Sequence, residues 1–113
     1  MLDGDRNHPL FPNAFRWELV EFTYRKHPTD WQETYIDLVF ATTEGERRFR
    51  FFAPRNLEIR SGPSNVWGMR VLDVTGRQME GIRVRVDNYE EYSGAPRFWA
   101  ADVVEVTDDG EVS

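Results

Sequence analysis

Residues 35–53 read YIDLVFATTEGERRFRFFA, and this stretch decides the fold. Two segments rich in aromatic and β-branched side chains flank residues 42–46, a short polar loop that contains Gly45. Strand-forming segments joined by such a glycine-containing loop are typical of a β-hairpin. The sequence therefore predicts two antiparallel strands, at residues 35–42 and 46–53.

The charges in this hairpin predict its register. If the numbers of opposite residues sum to 87, Leu38 faces Phe49 on one side of the ribbon and Asp37 faces Arg50 on the other. A shift by one residue would place Leu38 against Arg50 and mix charge into the face that the sheet buries. We therefore expect one apolar face and one partly charge-paired face.

Outward from the hairpin, the chain continues as short segments of β-branched and aromatic residues, each closed by turn-forming residues. This pattern predicts an all-β domain, either an antiparallel β-sandwich or a partly open β-barrel, of about seven strands. The first strand is irregular, which indicates either a bulge near Leu19 and Val20 or burial of both faces. A single helical turn is predicted only at residues 29–34, where the sequence from Thr29 resembles a capping box. The predicted strands are 15–24, 35–42, 46–53, 57–60, 66–74, 82–87 and 98–106.

The 113 residues are predicted to form one domain, because either half would be too small to bury a core without metals or disulfides. Residues 1–13 carry two prolines and little periodicity, so we interpret them as an extended N-terminal arm with Leu10 or Phe11 docked on the domain. Residues 107–113 are interpreted as an acidic tail that frays.

Composition excludes several classes of site. The chain has no cysteine, which excludes disulfides, thiolate catalysis and sulfur-ligated metal centres. Its net charge is −6, and residues 57–113 carry eleven acidic but only six basic side chains, so a nucleic-acid partner is not expected. No apolar run approaches the roughly 18 residues of a membrane helix, and no signal peptide opens the sequence, so we expect no membrane partner and a cytoplasmic protein.

No catalytic or metal-ligating pattern emerges from the chain. His8 and His27 both precede proline and lack metal-ligand partners at strand or helical spacing, so a structural role is favoured for each. Residues 87–92 bring together three carboxylates and two tyrosines, but the glycine-centred pattern of a calcium loop is missing. We therefore expect no catalytic residues, no cofactor and no metal site.

The candidate binding face consists of arginines. In residues 82–86, apolar side chains alternate with Arg83 and Arg85, which are predicted to point outward. If this strand shares a sheet with the hairpin, Arg48 and Arg50 extend them into a basic stripe suited to an acidic partner or an anionic ligand. The alternative is an ordinary solvated face in which each arginine pairs with Asp37, Glu58 or Asp87.

The four tryptophans provide a second candidate. Trp17, Trp67 and Trp99 are expected in the core, whereas Trp31 lies in the polar stretch 28–33 and is expected to be partly exposed. An exposed tryptophan is a typical anchor for a binding partner, so Trp31 joins the candidate binding face.

Three functions follow as hypotheses. The first is a non-enzymatic binding module that recognises a protein partner through an exposed sheet face or edge, as small acidic bacterial accessory or inhibitor subunits do. The second is a small-molecule carrier with a cavity inside a β-barrel. The third is a small hydrolase or isomerase that uses residues 87–92 or His27. A homodimer formed through an edge strand is compatible with all three.

Overall fold

The chain folds into short β-strands joined by turns, with no long helix in the part of the chain that the structure describes. The computed structural model describes residues 6–12, 14–58, 68–77, 80–88 and 96–107. The strands are β1 (Arg6–Asn7), β2 (Glu18–Arg25), β3 (Tyr35–Thr42), β4 (Gly45–Phe52), β5 (Arg55–Glu58), β6 (Met69–Asp73), β7 (Val84–Asn88), β8 (Arg97–Ala100) and β9 (Asp102–Val106).

These strands form two antiparallel sheets. The five-stranded sheet has the order β1-β6-β7-β8-β5, and the four-stranded sheet has the order β2-β3-β4-β9. The predicted all-β class is confirmed, and of the two predicted architectures the molecule adopts the sandwich, not a closed barrel.

The predicted hairpin register is confirmed. In the pairing of β3 with β4, Leu38 lies opposite Phe49 and Asp37 lies opposite Arg50. Leu38 and Phe49 are fully buried, because their shared face is the one that packs on the other sheet. Charge segregation across the pleat is therefore sufficient to determine this register.

The core lies between the inner faces of the two sheets. Phe51 of the four-stranded sheet meets Phe98 of the five-stranded sheet edge-to-face, with ring centroids 5.2 Å apart. Large aromatic and aliphatic side chains fill this layer, as close packing of a protein interior requires. The buried inner-face residues are Ile36, Leu38, Phe40, Phe49, Phe51, Met69, Val71, Val84, Val86, Phe98, Ala100 and Val103.

Two bends carry the chain from one sheet to the other. The single strand predicted at 98–106 is two strands: β8 belongs to the five-stranded sheet and β9 to the four-stranded sheet, and Ala101 lies between them. The partner strands β4 and β5 change sheet at the same level, where Ala53 has a φ of +50°. The Ala101 N–H donates to the Phe52 carbonyl over 2.9 Å, so the two bends form one corner.

Strand β2 contains the predicted bulge. Its pairing with β3 shifts between Leu19 and Glu21, so Val20 is the extra residue. The predicted helical turn is also present, at Trp31–Glu33, and Asp30 rather than Thr29 caps it by accepting a hydrogen bond from the Gln32 N–H. Two further single turns, at Ala14–Arg16 and Thr75–Arg77, were not predicted.

The described part of the N-terminal arm docks on the domain. Residues Arg6–Asn7 pair with β6 as a short edge strand. Phe11 is 1% exposed, and its ring lies 4.4 Å from that of Phe49. Leu10 also packs against the core. Of the predicted tail, only Thr107 belongs to the described residues, and 108–113 lie outside them. Residues 59–60 of the strand predicted at 57–60 and residues 66–67 of the strand predicted at 66–74 also lie outside the described residues.

Lowering the pH is expected to loosen this arm through His8. The His8 Nδ1 accepts a hydrogen bond from the Leu10 N–H over 3.2 Å, which requires an unprotonated Nδ1. Burial lowers the pKa of His8 below its usual 6.5, against the opposing attraction of Asp73 and Asp102. The unfolded chain therefore binds the proton more readily, and the free energy of unfolding falls as the pH drops below 6.5, until the pKa of the folded state is reached.

Urea unfolding at about pH 7.5 and about pH 5.5 measures this effect. The control is His8→Asn, because the asparagine Oδ1 accepts the same hydrogen bond but does not titrate. The wild type should lose more unfolding free energy than His8→Asn between the two pH values. An equal loss in both proteins would show that His8 is not responsible.

Candidate binding surfaces

The four candidate arginines do not share a face. Arg48 and Arg50 lie on β4 of the four-stranded sheet, whereas Arg85 lies on β7 of the five-stranded sheet and Arg83 directly precedes β7. Because the sheets turn their outer faces away from one another in a sandwich, the condition for one continuous basic stripe is not met.

The outer face of the four-stranded sheet is predominantly acidic. By register, five acidic and three basic residues of the strands share it. The acidic residues are Glu18, Glu21, Asp37, Glu46 and Asp102, and the basic residues are Arg25, Arg48 and Arg50. This face is therefore a poor match for an acidic partner.

Asp37 is the centre of this face and is already paired. Although it lies on the outer side of the sheet, it is only 3% exposed, because two arginines cover it. Arg50 donates two hydrogen bonds to the carboxylate, over 2.9 and 3.0 Å, and Arg48 donates a third over 3.2 Å. The hydrogen bond to Asp37 raises the pKa of Arg50, whose guanidinium also lies 4.0 Å from the Tyr35 ring centroid. Arg48 additionally reaches Glu21 over 3.2 Å.

A depression of about 610 Å³ lies beside these arginines, at the end of β9. Its remaining guanidinium, Arg47, is also engaged: it donates two hydrogen bonds to Glu105, over 2.9 and 2.8 Å, and lies 5.2 Å from the Trp17 ring centroid. This hydrogen bonding raises the pKa of Arg47 and lowers that of Glu105. Each arginine of the depression therefore has a carboxylate partner within the protein.

The outer face of the five-stranded sheet has the opposite charge. Among the described residues, five arginines and two carboxylates share it: Arg55, Arg70, Arg83, Arg85 and Arg97 against Glu58 and Asp87. Arg83 is included because it continues the alternation of β7. The basic surface predicted from the sequence is therefore present in part, on one sheet only.

The carboxylate of Asp87 is held chiefly by Arg70, which donates two hydrogen bonds to it, the longer over 3.2 Å. Arg85 lies 3.8 Å from the same carboxylate, beyond hydrogen-bond distance, and stacks on Trp99 with its guanidinium carbon 4.4 Å from the ring centroid. Trp99 was expected in the core; it lies instead on this outer face, half-buried. The outward parity of Trp99, opposite to that of buried Phe98, was the signal in the sequence.

No protein-family model matches this sequence, and no curated protein or solved structure matches it. Its function is therefore argued from its own geometry. Within the described residues, no helix is long and apolar enough to cross a membrane.

Large apolar side chains are exposed along one sheet edge. Val20 is 46% exposed, Tyr24 39% and Trp31 38%. Val20 and Tyr24 belong to β2, the edge strand of the four-stranded sheet, and Trp31 lies in the connection from β2 to β3. The exposure predicted for Trp31 is confirmed, whereas the exposure of Val20 and Tyr24 was not predicted from the sequence.

The histidines have the structural roles that the sequence favoured. The His27 Nδ1 accepts hydrogen bonds from the backbone N–H groups of Thr29 and Asp30, over 3.2 and 2.9 Å, and so orders the loop before the helical turn. Within the described ranges, no group of three or more His, Asp or Glu side chains is arranged to hold a metal ion. Of the candidate segment 87–92, residues 89–92 lie outside the described residues.

Proposed function

We propose that this protein is a non-enzymatic binding module that recognises a protein partner along the edge strand β2. The observation that carries the proposal is the clustering of Val20, Tyr24 and Trp31, the exposed large apolar residues of the described chain, on this strand and the turn that follows it. Exposed tryptophan and tyrosine side chains are typical anchors of protein interfaces, because they bury a large apolar area and lose little conformational entropy.

The backbone of β2 also supports this proposal. Within the part of the chain that the structure describes, it is the longest of the four edge strands at eight residues, since β1 has two residues, β5 has four and β9 has five. After the bulge at Val20, its pairing with β3 is regular from Glu21 to Arg25. An extended segment of a partner can therefore add to this edge by backbone hydrogen bonds, and the exposed side chains then provide specificity.

We expect Tyr24→Lys and Trp31→Lys each to weaken binding of the physiological partner at least about tenfold, because each buries a charge in the new interface. The measurement is capture from an extract of the source organism on immobilised wild-type protein, followed by a titration of the captured protein against each variant. Thr43→Lys is the matched control: it adds the same charge in the exposed turn between β3 and β4 and should bind like the wild type.

Hydrogen exchange in the complex tests the mode of binding. Strand addition should slow exchange of those alternate backbone amides of residues 21–25 that point away from β3, and leave the other sheet edges unchanged. Protection confined to another edge, or unchanged affinity in both lysine variants, would refute recognition by β2. A second copy of this chain as the captured partner would make the module a homodimer, with Tyr24→Lys shifting it to monomer.

A further inference from the structure

A surface depression on the outer face of the five-stranded sheet has the composition of a ligand site. It has a volume of about 460 Å³ and lies on the opposite sheet from β2. This volume lies within the roughly 300–1,000 Å³ that small-molecule sites occupy. The lining residues are Asn56, Leu57, Glu58, Arg85, Arg97 and Trp99.

A bulge in β5 shapes this depression. Two residues, Asn56 and Leu57, stand between the pairs Arg55–Trp99 and Glu58–Arg97, whereas β8 has one residue at that level. Asn56 adopts a φ of +55°, a left-handed conformation that asparagine tolerates better than most residues. Bulges are frequent at sheet edges, where β5 lies, and beside functional sites, and they redirect side chains.

Among the described residues that line the depression, the Arg85 guanidinium has no carboxylate within hydrogen-bond distance. Glu58 is the cross-strand neighbour of Arg97, and the carboxylate of Asp87 is hydrogen bonded to Arg70. Arg85 approaches Asp87 only to 3.8 Å. Burial lowers the pKa of Arg85, and Arg97 and Arg70 act in the same direction, against the opposing effects of Asp87 and Glu58. An anion bound beside Arg85 would relieve this imbalance of charge.

The side chains that line the depression indicate which kind of molecule the anionic group belongs to. Trp99 holds the Arg85 guanidinium in a stacked position, so its planar set of donors is already oriented. Leu57 packs against the core and adds an apolar wall beside the indole ring. Among the described lining residues, two arginines and one glutamate leave an excess of one positive charge, which matches a monoanion.

We propose that this depression binds a small monocarboxylate with an apolar body. The carboxylate pairs with Arg85, and the apolar body rests against Trp99 and Leu57. This is a second site, separate from the edge strand β2 of the proposed function, and it lies outside the sandwich core rather than in an internal cavity.

Phenylacetate is the probe, and the shift of the Trp99 indole N–H resonance is the measurement, with that resonance assigned through Trp99→Phe. Titration of the wild type should give saturable binding in the millimolar range or tighter. Arg85→Gln should weaken binding at least about tenfold, because it removes the pairing charge, and Arg85→Lys should weaken it less, because it keeps the charge but loses the planar fork.

The matched control is Arg48→Gln, which removes the same charge from an arginine already hydrogen bonded to Asp37 on the other sheet. It should bind phenylacetate like the wild type. Three results would overturn the proposal: no saturable binding to the wild type, undiminished binding to a folded Arg85→Gln, or binding of inorganic phosphate or of a glutamate-rich peptide as tight as that of phenylacetate. The last result would assign the site to anions without an apolar body or to a polypeptide.

Discussion

Replacing Phe11 by alanine is expected to lower the free energy of unfolding by about 3–5 kcal/mol. Phe11 comes from the N-terminal arm, yet its ring is surrounded by the aromatic core: the centroids of Phe49, Phe51 and Trp17 lie 4.4, 5.9 and 6.2 Å away. The substitution leaves a cavity that the close-packed sheets cannot collapse to fill, so the lost transfer free energy and the cavity both contribute.

Urea unfolding of Phe11→Ala and Phe22→Ala tests this expectation. Phe22 has the same side chain but lies on the edge strand β2, where it is half-buried and packs against the core. Phe22→Ala should therefore lower the free energy of unfolding by roughly half as much as Phe11→Ala. Phe11→Leu should cost less than Phe11→Ala, because it leaves a smaller cavity, and should stay folded if the alanine variant does not. A cost of Phe11→Ala no greater than that of Phe22→Ala would show that the arm does not belong to the core.

Replacing Asp37 by asparagine is expected to lower the free energy of unfolding by about 2–3 kcal/mol. The substitution keeps the shape of the side chain but removes the negative charge of the carboxylate, whose oxygens accept three hydrogen bonds from Arg48 and Arg50. Both arginines keep partial contact with water, so the cost is smaller than that of breaking a fully buried ion pair.

Glu105→Gln is the matched control for burial. Glu105 also accepts two hydrogen bonds from one arginine, Arg47, but its side chain is 26% exposed, against 4% for Asp37. More exposed ion pairs contribute little, so this substitution should cost at most about 1 kcal/mol. If urea unfolding gives equal costs for the two variants, burial does not explain the strength of the Asp37 pair.

Strand alternation predicts the direction in which each arginine points but not which arginines lie together. Outward orientation of Arg48, Arg50 and Arg85 was predictable from alternation alone, because neighbouring positions of a strand point to opposite faces. Whether they meet depends on strand order, which no local pattern encodes. In the structure, Arg48 and Arg50 lie on the acidic outer face, where Asp37 pairs with them. Arg85 lies on the basic outer face, beside Trp99.

The bend at Ala101 is a second case. Residues 98–101 alternate, but the same alternation would point Asp102 inward, so the pattern breaks there without indicating a change of sheet. The bend exists because the partner strand turns at Ala53 on the same level, and the Ala101 N–H finds its acceptor in Phe52 across the corner. The corner depends on two segments about fifty residues apart, so the sequence pattern of either segment alone does not predict it.

The all-β class, the register of β3 with β4 and the exposure of Trp31 were predictable from the amino-acid sequence. Each of these follows from short-range periodicity, turn chemistry or the cost of burying charge. Tertiary structure alone decided the strand order, the corner at Ala101, the opposite charges of the two outer faces and the depression beside Arg85. These depend on which distant segments become neighbours, and that choice is made by the packing of the whole core rather than by any local pattern.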